Sequence, residues 1–283
     1  MKSEKPDIKI IGAGPAGLFA AYSLAEYGNV TIYDKGRPIE KRNCPIKTKG
    51  LESCINCKPC NVHCGIGGAG LMSDGKLLFS TTIGNNLSVD KTISIKENEE
   101  LVQQIEEIFG KYNVFPVKEN TEEIEKLKRT ANQNGIEFVY SRQGHIGSEN
   151  LPGLMTQFKK NLENRGVRFV TNKKIGSLEE LDYDFALLAP GRSGSEWLED
   201  TLKENSIEYK YRAVDVGIRV EVPREITDCI TDVVRDMKFY IRSKPFDDLV
   251  RTFCTCPGGY VSQETHDGFT IANGYADSCS SSE

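Results

Sequence analysis

Asp7-Ile8-Lys9-Ile10-Ile11-Gly12-Ala13-Gly14-Pro15-Ala16-Gly17 is the stretch whose reading decides the fold. Its first five residues read as a short buried strand. The glycine turn then runs straight into an apolar, Ala-rich stretch from Leu18 to Tyr27 that reads as a helix. A second strand, Val30-Thr31-Ile32-Tyr33, ends on Asp34, 17 residues past Gly17. Strand, glycine turn, helix, strand and acid stand in the order of a dinucleotide-binding βαβ unit. Gly12 permits the tight turn, Gly14 lets backbone approach a pyrophosphate, and Gly17 lets the helix lie close to the sheet. The helix N-terminus, with Ala13, Pro15 and Ala16, offers N–H groups and a partial positive charge to phosphates. Asp34 can accept hydrogen bonds from a ribose, and its charge disfavours the 2′-phosphate of NADP.

Working outward, 283 residues suffice for one large α/β domain or two smaller ones. The net charge of −5 gives no general attraction to nucleic acid. The N-terminal apolar run is cut by Gly, Pro and Glu26, which fits neither a signal peptide nor a membrane span, so a cytoplasmic location is expected. Residues 35–49 hold six Lys or Arg against the single acid Glu40. They read either as a solvated loop or as a positive rim beside a pyrophosphate or an anionic cluster, with Lys35 and Arg42 as cofactor contacts.

Five of the nine cysteines fall between Cys44 and Cys64. Cys44-Pro45 comes first, then Cys54-x2-Cys57-x2-Cys60-x3-Cys64. This spacing lets one loop wrap a [4Fe–4S] cluster. Four thiolates equally suit a tetrahedral Zn²⁺ site, and a thiol–disulfide pair exchanging electrons with a flavin is the third option. His63 reads as loop support. Gly68-Ala69-Gly70 and Ser73-Asp74-Gly75-Lys76 follow at once, a stretch whose backbone can pass close to a flat ligand. Lys76 there can stabilise negative charge on a reduced flavin.

Together these segments resemble a family of largely uncharacterised FAD-dependent dehydrogenases with the glutathione-reductase-type flavin fold. The resemblance rests on the Cys-Pro pair, the cysteine run and Gly67-Gly68-Ala-Gly-Leu-Met-Ser-Asp-Gly-Lys-Leu77. It extends to His145-Ile-Gly-Ser148, Leu188-Ala-Pro-Gly191, Val216-Gly-Ile-Arg219-Val-Glu221 and Arg251-Thr-Phe-Cys254-Thr-Cys256-Pro-Gly-Gly259. It implies FAD, with Gly68, Ala69, Gly70, Ser73, Asp74, Gly75 and Gly191 among its contacts, and NAD(P)H as an external donor. Flavoproteins of this fold also close the FAD site with a C-terminal Gly-Asp segment. This chain contains no Gly-Asp pair, so the sequence reads as C-terminally truncated, with weak flavin retention expected.

Residues 97–125 carry nine Glu against Lys111 and Lys118. Leu101, Val102, Ile105, Ile108 and Phe109 share one helical face ended by Gly110, and Thr121 is expected to cap a second helix with Ile124 and Leu127 inward. Ile136 to Tyr140 reads as a strand. A helix follows with Leu151, Leu154, Met155, Phe158 and Leu162 in one stripe, closed by Gly166. His145 is expected to hold its loop by hydrogen bonding. Val167–Val170 and Tyr183–Ala189 read as strands, the latter buried and parallel, with Trp197 and Leu198 as ordinary packing. Val214, Val216, Ile218 and Val220 alternate as a strand. Further strands are expected at 238–241, 249–253 and 268–272, with a helix over 226–237. Cys229 and Cys279 fit no pattern.

The expected architecture is α/β: a Rossmann-like FAD-binding domain of the two-dinucleotide flavoprotein type with a helical insertion and a mostly antiparallel substrate domain. The FAD domain takes residues 1–95 and 136–205, the insertion 96–135, and an incomplete substrate domain 206–283. The expected activity is that of an oxidoreductase passing hydride or electrons between flavin and a small-molecule substrate or redox partner. A flavin-linked thiol–disulfide reductase and a non-catalytic nucleotide- or metal-binding module are the alternatives. Lys76, Cys254 and Cys256 are the catalytic candidates, and Cys44, Cys54, Cys57, Cys60 and Cys64 the metal candidates.

Overall fold

A computed structural model describes residues 5–51, 54–84, 87–88, 91–118, 120–211, 213–266 and 269–276. Gly268 and Cys279 lie outside these residues. In chain order the elements begin with β1 (Asp7–Ile11), α1 (Pro15–Leu24), β2 (Asn29–Tyr33) and α2 (Pro45–Lys49). There follow β3 (Lys76–Phe79), α3 (Ile95–Gly110), α4 (Thr121–Gln133), β4 (Glu137–Phe138) and β5 (Arg142–His145). Next come α5 (Leu151–Asn164), β6 (Arg168–Val170), β7 (Phe185–Leu188) and α6 (Ser195–Glu204). The chain closes with α7 (Arg224–Thr231), β8 (Phe239–Ser243), β9 (Asp248–Arg251), β10 (Gly259–His266) and β11 (Phe269–Ala276).

Two compact units result. The first joins Met1–Ser73 to Ser148–Val216. Its sheet has the order β6-β2-β1-β7, parallel throughout. Parallel strands need crossovers and bury their central members, which is why Ile8, Ile10 and Ile11 of β1 and Val30 and Ile32 of β2 are buried. Ile10, in register with Ile32 and Leu187, is fully buried. Gly17, Leu18 and Ala21 form the buried side of α1. The predicted stripe of α5 is borne out at Leu151, Leu154, Phe158 and Leu162, all buried. Phe158 packs on Phe19 and Tyr22 of α1, with ring centroids at 5.4 and 5.9 Å. The strand predicted at Tyr183–Ala189 is shorter and less buried than expected, with Phe185 61% exposed. It is an edge strand, covered on one flank only by β1.

The second unit joins Asp74–Gly147 to Gly217–Glu283. Residues 74–95 and 136–147 therefore group with the C-terminal segment, where the sequence reading set them with the nucleotide-binding part. Strand pairing is the reason: β3 pairs with β5, and β4 with β8, all antiparallel. β9 extends the latter sheet, and β10 and β11 form a hairpin. The core gathers Ile124, Ala131, Phe138 and Val234, with Leu127 and Phe239 against them. A capping box starts α3, where Ser94 accepts from the Glu97 N–H and the Glu97 carboxylate accepts from the Ser94 N–H. Asn120, one residue before the expected cap, accepts from the Glu123 N–H at the start of α4. The apolar face of α3 is only partly covered, with Leu101 and Ile105 exposed; its most buried side chain is Asn98.

Two expectations fail. The helix expected to reach Met237 stops at Thr231. The alternating Val214, Val216, Ile218 and Val220 form no strand among the described residues, and all four are exposed. Alternation only gives a segment one apolar face; a ladder partner is what makes it a strand, and none is present among the described residues. Among those residues no helix is long and apolar enough to cross a membrane.

Candidate functional site

In the first unit, β1 has β2 on one side and β7 on the other. Chains leaving neighbouring parallel strands in opposite directions open a crevice at the strands' carboxyl ends. A cleft of about 330 Å³ lies there, lined by Ile11, Tyr33 and Ala189 at the strand ends. The Gly12 N–H donates to Tyr33 O at 2.8 Å, and Gly12 has φ +112°. A Cβ at Gly12 would stand 2.0 Å from Ala189 O, so the turn and the β7 exit touch as bare backbone. Gly14 differs. It has extended backbone (φ −76°, ψ −178°), and a Cβ there would meet nothing nearer than Gly68 Cα at 3.9 Å. Gly14 is the N-cap of α1, without a side chain to cap it, and both it and Pro15 line the cleft. The helix N-terminus is thus uncapped where the cleft is open.

Asp34 is placed at this junction, but not as a free acceptor. Its Oδ2 accepts from the Ala13 N–H at 2.8 Å, and its Oδ1 from the N–H groups of Gly36 (2.7 Å) and Gly65 (2.8 Å). The carboxylate therefore ties the glycine turn, the β2 exit and the cysteine-rich loop together. With about four lone-pair sites on a carboxylate, one remains for a ligand hydroxyl. Cations come from several segments. Lys35 donates to Ser193 O, while Lys173, Lys174 and Arg192 also line the cleft. The Lys173 N–H donates to Asp34 O, which brings the segment after β6 to this point.

Of the residues read from sequence as cofactor contacts, Gly12, Gly14, Pro15, Asp34, Lys35, Gly68, Ala69, Gly70 and Gly191 line the cleft. Ala13, Ala16, Gly17, Arg42 and Ser73 do not, and Asp74 and Gly75 belong to the second unit. Arg42 is buried among carbonyls, donating to Asn61 O (3.0 Å), Val62 O (2.7 Å) and Ile66 O (2.7 Å). Burial pushes its pKa down against the opposing influence of Asp34 and the nearby cysteines. It organises the loop that carries Cys60 and Cys64 rather than the cleft. Lys173, Lys174, Ser193 and Trp197 were missed as site residues. The Lys173-Lys174 pair directly after a strand was the one available signal. Trp197 is more than packing: its Nε1–H donates to Gly176 O at 2.9 Å, and its side chain lines the cleft.

The cysteine-rich loop does not gather as the spacing suggested. Cys54 is exposed, Cys44, Cys57 and Cys60 are half-buried, and Cys64 is buried with Sγ 3.5 Å from Ser193 Oγ. Burial pushes the Cys60 thiol up. Among the described residues no three Cys, His, Asp or Glu side chains are placed to share a metal ion, and the described cysteines are free thiols. This arrangement does not present the four-thiolate set that a [4Fe–4S] cluster or a structural Zn²⁺ requires.

The catalytic candidates of the second unit, by contrast, come together. Lys76 on β3 places Nζ 3.0 Å from Cys254 Sγ and 2.8 Å from Asp236 Oδ2. Lys238, the residue before β8, places Nζ 2.7 Å from the same carboxylate oxygen, and the Thr255 N–H donates to Oδ1 at 3.0 Å. The Asp236 side chain is wholly buried. Burial pushes its pKa up, but the hydrogen bonds from Lys238 and Lys76 outweigh that and hold it below its ordinary value. The thiols of Cys254 and Cys256 are hydrogen-bonded to each other. Hydrogen bonding from Cys256, with that from Lys76, draws Cys254 down to about 5, against the effect of burial. The same bond to Cys254, with burial, pushes Cys256 up. Asp74 contributes to that rise, and His145 Nε2 is 3.6 Å from Asp74 Oδ2.

No protein-family model matches the chain. It is similar to an uncharacterised protein of Clostridium beijerinckii, 26% identical over 303 residues, covering 97% of this chain and 50% of that one. The chain thus spans about half the length of the curated relative it matches. Among solved structures it is similar to an L-amino acid deaminase from Proteus vulgaris, with a TM-score of 0.37 and 12% identity over 72% of this chain and 51% of that one. It is also similar to an L-amino acid deaminase from Proteus myxofaciens in complex with anthranilate, with a TM-score of 0.25 and 16% identity over 69% and 47% of the two chains. Likeness at this level does not decide function, and the functional reading rests on the cleft itself.

Proposed function

We propose that this chain is an FAD-dependent oxidoreductase, a dehydrogenase whose first unit holds the ADP half of the cofactor in the cleft above β1, β2 and β7. The observation that carries the reading is the uncapped N-terminus of α1 at Gly14, opening on a cleft where a Cβ would meet nothing nearer than Gly68 Cα at 3.9 Å. A pyrophosphate there would receive the first N–H groups of α1 and its positive dipole end. Asp34 would use its remaining lone pair on a ribose hydroxyl. Lys35, Lys173, Lys174 and Arg192 supply positive charge around the anion. When bound, the flavin supplies two-electron acceptor and donor chemistry. The chain's own contribution at this site is to bind, to orient, and to exclude a 2′-phosphate through the Asp34 carboxylate.

Gly14→Ala tests this directly, because the protein itself accommodates a Cβ there without overlap. FAD affinity, measured by equilibrium dialysis, is expected to fall at least roughly tenfold, about 1.4 kcal/mol. Thermal stability should change by less than about 1 kcal/mol, since the backbone at Gly14 is one that any residue adopts. Unchanged FAD affinity in a folded Gly14→Ala protein would remove the cleft as the pyrophosphate site.

A further inference from the structure

The second unit contains a cluster that the flavin reading does not use. Lys76, Asp236 and Lys238 form one buried group, two ammoniums sharing a single carboxylate. Lys238 also donates to Phe253 O, the residue before Cys254. Two positive charges and one negative leave an excess of +1 in a place where water cannot balance it. The nearest group able to close that excess is the Cys254 sulfur, at 3.0 Å from Lys76 Nζ. The Cys256 thiol, two residues on, is hydrogen-bonded to that sulfur. The Cys254-Thr255-Cys256 segment is not a strand, yet its geometry is fixed, because Thr255 N–H is bonded to Asp236 and the Gly259 N–H to Cys256 O. Both cysteines are half-buried.

The other charged groups around the pair are distributed unevenly. Asp74 pushes the Cys256 thiol up and carries His145 beside it, while Asp236 opposes the effect of Lys76 on Cys254. Arg219 also flanks Cys256: a Cβ built on Gly274 would stand 2.6 Å from Arg219 Nη1 and 3.0 Å from Cys256 Sγ. The two thiols are therefore chemically unequal: Lys76 donates directly to Cys254, while Cys256 has Arg219 and Asp74 around it. Such asymmetry is what a dithiol needs if one sulfur is to attack and the other to wait.

We propose that Cys254 and Cys256 are a redox-active dithiol that reduces small disulfides, Cys254 attacking and Cys256 resolving. The Cys254 thiolate attacks one sulfur of the substrate R–S–S–R. A Cys254–S–S–R bond forms, the substrate S–S bond breaks, and RS⁻ leaves, taking the proton of Cys256. The Cys256 thiolate then attacks Cys254 Sγ, closing the internal disulfide and expelling the second RS⁻, which takes a proton from water. Two electrons pass from the protein pair to the substrate, and two RSH are released. Lys76 is a positioning residue here, holding the charge of the attacking sulfur.

The test uses the full chain, reduced under anaerobic conditions, freed of reductant and treated with glutathione disulfide. Thiol states are read peptide by peptide by mass spectrometry, which separates this pair from Cys44–Cys64. The wild type is expected to lose two hydrogens in the peptide carrying Cys254 and Cys256. Cys256→Ser is expected to trap glutathione on Cys254, and Cys254→Ser to leave Cys256 unmodified. At about pH 6, Lys76→Met should slow mixed-disulfide formation roughly tenfold, and Lys76→Arg, which keeps the charge, should restore most of the rate. The Arg variant also keeps the test valid if the Met variant does not fold. A Cys256→Ser protein that traps nothing on Cys254 would overturn the proposal. So would a wild-type Cys254 that reacts at about pH 6 no faster than the exposed Cys54 and Cys229. None of these readouts needs bound flavin, so this proposal and the cofactor reading fail separately.

Discussion

Asp236→Ala is expected to destabilise the second unit by about 3–5 kcal/mol, because it strands two buried ammonium groups. Lys76 and Lys238 both depend on one carboxylate oxygen, at 2.8 and 2.7 Å, and their side chains are 12% and 4% exposed. Neither ammonium can turn to water without disturbing β3 or the segment that leads into β8. Denaturant unfolding followed by circular dichroism measures the loss. The pH dependence of that loss has a definite sign. Asp236 has a folded-state pKa below its ordinary value, so its contribution is complete above the unfolded carboxylate pKa of about 3.9. It is lost as pH falls through the folded value. The gap between wild type and variant should therefore be widest near neutrality and narrow in acid. A variant within about 1 kcal/mol of wild type at neutral pH would mean that the lysines do not depend on this carboxylate.

The second large effect belongs to the turn after β1. Gly12→Ala is expected to cost roughly 3–5 kcal/mol, combining a positive φ that L side chains rarely adopt with an unrelievable overlap. The overlap is with backbone, 2.0 Å from Ala189 O and 3.2 Å from Pro190 Cα, so no side-chain rotation clears it. The strain falls on the pairing of β1 with β7, which Ala189 N–H extends by donating to Ile11 O. Gly14→Ala is the matched control two residues on, where a Cβ finds 3.9 Å of clearance. The two alanines should thus separate the roles of the turn: Gly12 for stability, Gly14 for the ligand. Equal unfolding midpoints for the two variants would refute that division.

The parallel sheet was legible because its information is local. Apolar runs flanked by Gly12, Gly28 and Gly166 mark buried strands and their boundaries, and Leu151, Leu154, Phe158 and Leu162 show the helical period on their own. The cleft was legible chiefly where it is made by contiguous residues, from Gly12 to Lys35 and from Gly68 to Gly70, with Gly191 besides. Its remaining wall comes from Lys173, Lys174, Ser193 and Trp197, which the Lys173–Asp34 backbone bond and the β7 exit bring in from distant segments. No local pattern encodes such a meeting. Asp236 gave no signal for the same reason: its partners are Lys76, on β3 and far away in sequence, and Lys238, just before β8. The alternation at Val214–Val220 shows the opposite error, a local pattern without the neighbour that would use it.

Trp197 makes the central claim directly measurable. It is the one tryptophan of the chain, and it lines the cleft. Titration of the flavin-free protein with FAD, followed by Trp197 emission, is predicted to give saturable quenching, with NADP giving none at matched concentration. In Gly14→Ala the same curve should shift to higher FAD by at least roughly tenfold. Emission that stays constant while FAD binds, or FAD that does not bind at all, would contradict the assignment of this cleft to the cofactor.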